Sequence, residues 1–375
     1  MNVAIAPSPQ VKVWDLPLRL FHWCLVAACG TALVSGFLLN ANWLSLHIWA
    51  GGFILALLGA RMVWGLTGPT YARFRNFTLA PSTAIAHVKD ILNGTVHREG
   101  GHNPLGAWMV TFFFIALTLV CLSGLGLLGG MFKQGPLKAY LSFATGGLLR
   151  EPHELLAWLV LMLVAAHIGG VVFESIRSRE NLARAMVTGK KVKGFIPAAH
   201  DFAARPTLAL AIIAVAGAAI GWAAISANAL PAWGVRQVTA NSAWQEECGD
   251  CHMAFHPTLL PATSWQGIMT SLDDHFGEDA SLPASTAAAI SDYLRANSAE
   301  TSDSLAANVF RKMSETRPLE ITQTPFWLRR HEHIPEATFK AAPVNSRQNC
   351  AACHGDATAG TFAPQSISIP KETVK

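Results

Sequence analysis

The chain has 375 residues, 51% of them hydrophobic and 14% charged, with a formal net charge of +4, which excludes an ordinary soluble domain and points to a membrane protein. Up to residue 227 there are 17 Lys and Arg against 8 Asp and Glu, and beyond it 11 against 16. A basic membrane half is joined to an acidic soluble half, and with no nucleic-acid motif in either, no nucleic-acid partner is expected.

Five apolar blocks are long enough to cross a bilayer, which takes about 20 helical residues: 17–39, 44–66, 105–128, 152–173 and 206–225. Pro17, Pro152 and Pro206 sit where a helix start tolerates proline. The fifth block is Ala-rich, has no histidine and reads as a tether among membrane lipids. The connections after the second and fourth blocks hold eleven Lys and Arg, including Arg73, Arg75, Arg177, Arg184 and Lys190. The connection after the first block has none, and that after the third has Lys133, Lys138 and Arg150. This asymmetry predicts a cytoplasmic N-terminus and an outer C-terminal half. The first block lacks a signal-peptide cleavage pattern and is expected to stay as an anchor.

Imidazoles inside such blocks need partners. His153 and His167 lie 14 residues apart on the fourth block, nearly four full turns, so both face one side about 21 Å apart along the axis. His22 matches the depth of His167, and His47 that of His153. Two imidazoles at one depth on facing helices suit the axial positions of an iron porphyrin. Gly30, Gly36, Gly51, Gly52, Gly169 and Gly170 are expected to let helices and a flat macrocycle approach closely. Cys24, Cys29 and Cys121 read as small packing residues. Arg61 and Arg150, near helix ends, could meet haem propionates, but snorkelling is favoured. His87, His97, His102 and His200 fall in loops and are expected to be solvated.

The stretch "KVWDLPLRLFHW", the "HIWAGG" start of the second block and the histidine pair of the fourth resemble the bacterial cytochrome b561 family, over about residues 10–200. The resemblance implies a four-helix core, two non-covalent b haems held by His22, His47, His153 and His167, and electron exchange with quinone. No local motif fixes a quinone pocket.

Beyond the tether, "CGDCH" (248–252) and "CAACH" (350–354) are both C-x-x-C-H, the attachment pattern of c-type haem. The thiols of Cys248 and Cys251, and of Cys350 and Cys353, would bind the porphyrin covalently. His252 and His354 would then reach the irons. The compartment also permits disulfides, but these leave the adjacent histidines unexplained. The sixth ligands are open among His256, His275, His331, His333, Met253, Met269 and Met313. The stretches "LLPATSWQGIMTSLDDHFGEDASL" and "ITQTPFWLRRHEHIP" resemble the dihaem cytochrome c family over about residues 244–358. That likeness implies His275 and His331 as distal ligands and leaves His256 and His333 at the surface. Each distal residue lies 23 positions from one attachment histidine, so local pairing is possible and crossed pairing stays open.

The expected architecture is an all-α membrane protein. A b561-like four-helix domain (10–200) is followed by a fifth tether helix (201–230) and a mostly helical dihaem cytochrome c domain (231–375). Two haem b and two haem c would carry electrons between the quinone pool and an acceptor protein in the periplasm, across the bacterial inner membrane. The acidic outer half suits an acceptor with a basic patch. A superoxide-oxidising or small-molecule redox enzyme and a gas sensor are the rival readings.

Overall fold

The computed structural model of the protein describes residues 10–96, 100–192, 200–313 and 319–370. Among them the chain forms two compact units: residues up to 124 with 150–223, and 125–149 with 224–375.

The first unit opens with β1 (Gln10–Lys12) and α1 (Leu16–Phe37), whose start is fixed by Asp15 accepting from Leu18 N–H at 3.2 Å and by Pro17 in the first turn. Such a cap is worth about 1 kcal/mol. Next come α2 (Leu44–Thr67), α3 (Pro81–Leu92), α4 (Pro104–Gly130), α5 (Phe143–Leu148), α6 (Arg150–Ser178), α7 (Leu182–Thr188), β2 (Lys190–Val192) and α8 (Pro206–Ala229). Helices α1, α2, α4, α6 and α8 are long and apolar enough to cross a membrane, and each covers one predicted block to within a few residues.

Four of these helices share a core. Ala28 of α1, Ile54 and Leu58 of α2, Ala116, Leu117 and Cys121 of α4, and Val160 of α6 pack together. The tether α8 buries only Ala209. Two connections are more ordered than the sequence suggests. Strands β1 and β2 pair antiparallel, Val11 opposite Lys191. Val13, Trp14, Leu18 and Ala185 then form a small cluster beside them.

The second unit contains the end of α4, the segment to residue 149, and the chain after α8. Gly130 and Gly146 meet backbone to backbone: a Cβ on Gly130 would lie 2.5 Å from the Gly146 Cα. Beyond α8 every helix is short: α9 (Ser242–Glu247), α10 (Ala262–Met269), α11 (Ala284–Ala296), α12 (Leu305–Phe310), α13 (Pro325–His331) and α14 (Glu336–Lys340). Asn241, Ser304 and Thr324 cap α9, α12 and α13 through side-chain oxygens. Trp244, Trp265, Trp327, Ile290, Leu294 and Phe310 fill one core; a fully buried Ile or Leu contributes about 1.5–3 kcal/mol. Asp303 ties the 131–149 segment in: its Oδ2 accepts from Lys133 Nζ and from Phe143 N–H, both at 2.7 Å, while Oδ1 accepts from Asn308 Nδ2 at 3.1 Å.

Candidate functional site

The long helices bring the four membrane histidines together in two pairs. His22 of α1 faces His167 of α6 with ring centroids 6.4 Å apart, and His47 of α2 faces His153 of α6 at 6.2 Å. Depth matching along the helices anticipated both pairs.

The His47–His153 pair is held by two matching cradles. His47 Nδ1–H donates to the Ala32 carbonyl at 3.0 Å, with Ser35 Oγ at 3.2 Å and Gly36 against the ring edge. His153 Nδ1–H donates to the Val120 carbonyl at 2.9 Å, with Ser123 Oγ at 3.0 Å and Gly124 against the ring edge. A Cβ on either glycine would stand 3.1 Å from the imidazole Cε1. Because a carbonyl only accepts, each Nδ1 is the protonated nitrogen and each Nε2 keeps its lone pair for a metal. The repeated Ser-Gly at 35–36 and 123–124 was the sequence signal for these cradles, and the reading above passed over it.

The c-type motifs sit in local folds. In the first, His252 faces His275 at 6.2 Å with rings 24° apart. His275 stands at a tight turn in which Phe276 and Gly277 both have positive φ, 56° and 95°, and Asp274 accepts from Gly277 N–H at 3.1 Å. In the second, His354 faces His331 at 6.2 Å. His331 ends α13, stacks on Trp327 at 4.1 Å and donates from Nδ1 to the Trp327 carbonyl at 2.8 Å. His275 and His331 thus each face the C-x-x-C-H histidine nearer to them in sequence. Burial pushes the His275, His331 and His354 imidazoles below their ordinary value, which keeps them neutral and able to ligate. Burial also raises the Cys248 and Cys350 thiols to about 11, opposite to the lowered thiol of a redox C-x-x-C.

Four separate pairs share nearly one spacing. Two metal–imidazole bonds of about 2 Å, plus about 1.2 Å from each ligating nitrogen to its ring centre, place two centroids about 6.4 Å apart across one ion. The residues therefore fit a six-coordinate haem iron at each pair. The glycines agree in an unexpected way. A Cβ on Gly30, Gly51, Gly52, Gly169 or Gly170 would meet no protein atom within 4 Å. These glycines do not serve close helix–helix contact, one half of the expectation; the open space at each agrees with the other half, the close approach of a flat macrocycle.

Residues 13–189 match the family model for prokaryotic cytochrome b561, and residues 244–362 that for dihaem cytochrome c. The chain is a cytochrome b561 domain joined to a dihaem cytochrome c domain. The b561 part is 24% identical over 221 residues to a probable Ni/Fe-hydrogenase B-type cytochrome subunit of Cupriavidus necator, covering 50% of this chain and 90% of that one. It is 28% identical over 218 residues to the corresponding subunit of Azotobacter vinelandii, covering 49% and 90%. The dihaem part is 39% identical to the diheme cytochrome c from Rhodobacter sphaeroides, covering 34% of this chain and all of that one, with a TM-score of 0.30. A dihaem cytochrome from Shewanella baltica is 34% identical, covering 35% and 93%, with a TM-score of 0.28. Such a fusion binds haem b and haem c and transfers electrons at a membrane.

Several residues of the b561 and cytochrome c domains depart from their expected places. Arg61 does not snorkel: it is 3% exposed, its guanidinium lies 4.4 Å over the Phe74 ring, and its Nη1 has no hydrogen-bond partner. Arg150 is exposed as expected. His87 is buried on the inner side of amphipathic α3, and His102 packs its ring against Trp14 and Phe77 at 4.8 and 5.0 Å, so neither is a solvated loop histidine. His97 lies outside the described residues, as does the Met313 side chain. His256 is buried, not at the surface. Its Nδ1 stands 2.8 Å from Thr258 Oγ1, burial pushes it down to about 4, and its ring presses on Gly360, whose φ is +66°. His333 is exposed, and Met269 packs on the hydrophobic core.

Proposed function

We propose that this protein carries electrons between the quinone pool and a periplasmic acceptor protein, with two b haems in the membrane and two c haems outside. One observation supports it above all: four histidine pairs at 6.2–6.4 Å, two on membrane helices and two beside C-x-x-C-H motifs. Haem supplies reversible one-electron chemistry. His22 with His167 and His47 with His153 would hold the b haems; His252 with His275 and His354 with His331 would hold the c irons, with Cys248, Cys251, Cys350 and Cys353 as the covalent anchors. Two imidazoles per iron leave no open position, which disfavours the gas-sensor and small-molecule rivals.

The charge asymmetry of the connections supports a cytoplasmic N-terminus, with the His22–His167 site on that side and the c domain in the periplasm, across a bacterial inner membrane. The matched relatives are named as hydrogenase subunits and span little more than the membrane domain. In this chain the c domain takes the place of a separate redox partner, and fusion keeps it at high effective concentration. Its acidic charge suits an acceptor with a basic patch, an attraction that sets association rate and fades with salt. The test is quinol-driven reduction of the c haems in a His153→Leu protein verified to lack one b haem. Very slow reduction is expected; reduction at the wild-type rate would mean that the c domain is fed by another route.

A further inference from the structure

A cavity beside the His22–His167 pair is lined by Trp14, Leu18, Phe21, His22, Arg61 and His102, with Val110 and Met186 closing it. Arg61 is the one fixed charge among these residues. Arg61 is only 3% exposed, and its Nη1 reaches no acceptor among the described residues. Among the described residues no ion pair includes Arg61. The Asp15 carboxylate forms no ion pair with it and is engaged elsewhere: Oδ1 accepts from Leu18 N–H at 3.2 Å and Oδ2 from Trp64 Nε1 at 2.9 Å.

A guanidinium cannot shed its charge, so a buried one without an anion is strongly unfavourable. The fold nevertheless goes to some length to keep it there. Phe74 lies against the guanidinium face, and the Phe74 ring occupies the space where Gly65 would carry a Cβ, so only glycine at 65 allows this seat. A cation held by an aromatic plate on one face, with an unpaired N–H and a place in the lining of a cavity, is a half-built carboxylate site. His22 Nδ1, buried in the same place, also lacks a hydrogen-bond partner.

We propose that Arg61 binds a carboxylate in this cavity, namely a propionate of the haem held by His22 and His167. This rests on the ligand assignment under Proposed function. Arg61 is then a positioning residue with an electrostatic consequence: a positive charge beside the macrocycle favours the reduced iron and raises its potential. The hydrogen bonds at the His47–His153 cradles come from neutral groups, Ala32, Ser35, Val120 and Ser123, so the two b haems would differ in potential partly through Arg61. A lipid phosphate or a quinone carbonyl could use the same N–H, and the experiment separates them from the propionate.

The experiment uses the full-length holoprotein. Redox titration and resonance Raman spectra are recorded for wild type, Arg61→Gln and Arg61→Lys, with His22→Leu identifying which b haem belongs to this site. In Arg61→Gln the potential of that haem is expected to fall and its propionate bending mode to shift, while the other b haem and both c haems stay put. Arg61→Lys should keep most of the potential but still shift the mode, since an ammonium lacks the planar fork. Loss of that single b haem in Arg61→Gln also supports an anchor. Unchanged potential and propionate mode overturn the inference, as does a change confined to the KM for quinol or one reversed by lipid exchange. If Arg61→Gln does not accumulate, the Raman shift of Arg61→Lys decides alone. Retention of both b haems in His22→Leu would instead sink the ligand assignment, a distinguishable failure.

Discussion

The membrane unit and the dihaem unit reach the same histidine spacing by opposite routes. In the membrane the partners are 145 and 106 residues apart in sequence; in the dihaem unit both pairs are 23 apart. The membrane spacing is therefore a product of helix packing, and at the His47–His153 pair the imidazoles are also aimed by carbonyls of a neighbouring helix. The dihaem spacing is built from short capped helices and turns with positive φ. Long-range placement needs a rigid bundle but no covalent anchor. Local placement on helices of five to thirteen residues lacks such a frame, and the proposed cysteine attachment would supply it.

The largest expected effect breaks that comparison most cleanly. His153→Leu should halve the b-haem content measured as pyridine haemochrome and leave both c haems in place; loss of c haem as well would show that the units are not built independently. Next, His275→Ala or His331→Ala should keep its haem covalently bound yet make one c iron high-spin and CO-binding, read by optical spectroscopy. Persistence of a fully low-spin spectrum would remove that histidine from the ligand set.

A smaller effect sharpens the account of local turns. Gly360→Ala puts an L-residue at φ +66°, a cost of about 1–2 kcal/mol, and drives a Cβ into the His256 ring. A lower Tm of the c-haem unit is expected, with Gly51→Ala as a control that meets no protein atom. In turn, Gly51→Ala should lower b-haem retention if the macrocycle fills the space it leaves.

The smallest effect concerns pH. Burial pushes the Asp303 carboxyl up, but hydrogen bonds from Lys133, Phe143 N–H and Asn308 outweigh it and hold the group below the usual range. Its stabilisation is thus full above the unfolded carboxylate value of about 3.9 and is lost as pH falls through the lower folded value. The protection factor of the Phe143 amide, exchange relative to its intrinsic rate at each pH, should fall on acidification below about pH 4 in wild type, and be low without that step in Asp303→Ala.

Much of this was legible in the sequence because depth and attachment are one-dimensional properties. The 14-residue spacing of His153 and His167 fixes two depths on one helix, and C-x-x-C-H declares its own iron ligand. Burial is not one-dimensional. Arg61 reads as a snorkelling end residue until Phe74, thirteen positions on, folds back over it. His256 reads as a surface histidine until Gly360, a hundred residues later, closes on its ring. The pairing of β1 with β2 joins three-residue segments about 180 positions apart, too short to carry any periodic signal.

In the proposed scheme every iron of this protein lies between two imidazoles. Near-infrared magnetic circular dichroism of the fully oxidised protein tests it in one measurement, since the charge-transfer band reports the axial ligand pair of each low-spin haem. The account predicts bis-histidine bands alone, with intensity for four irons per chain. A histidine–methionine band, or a high-spin signal from any of the four, would contradict it.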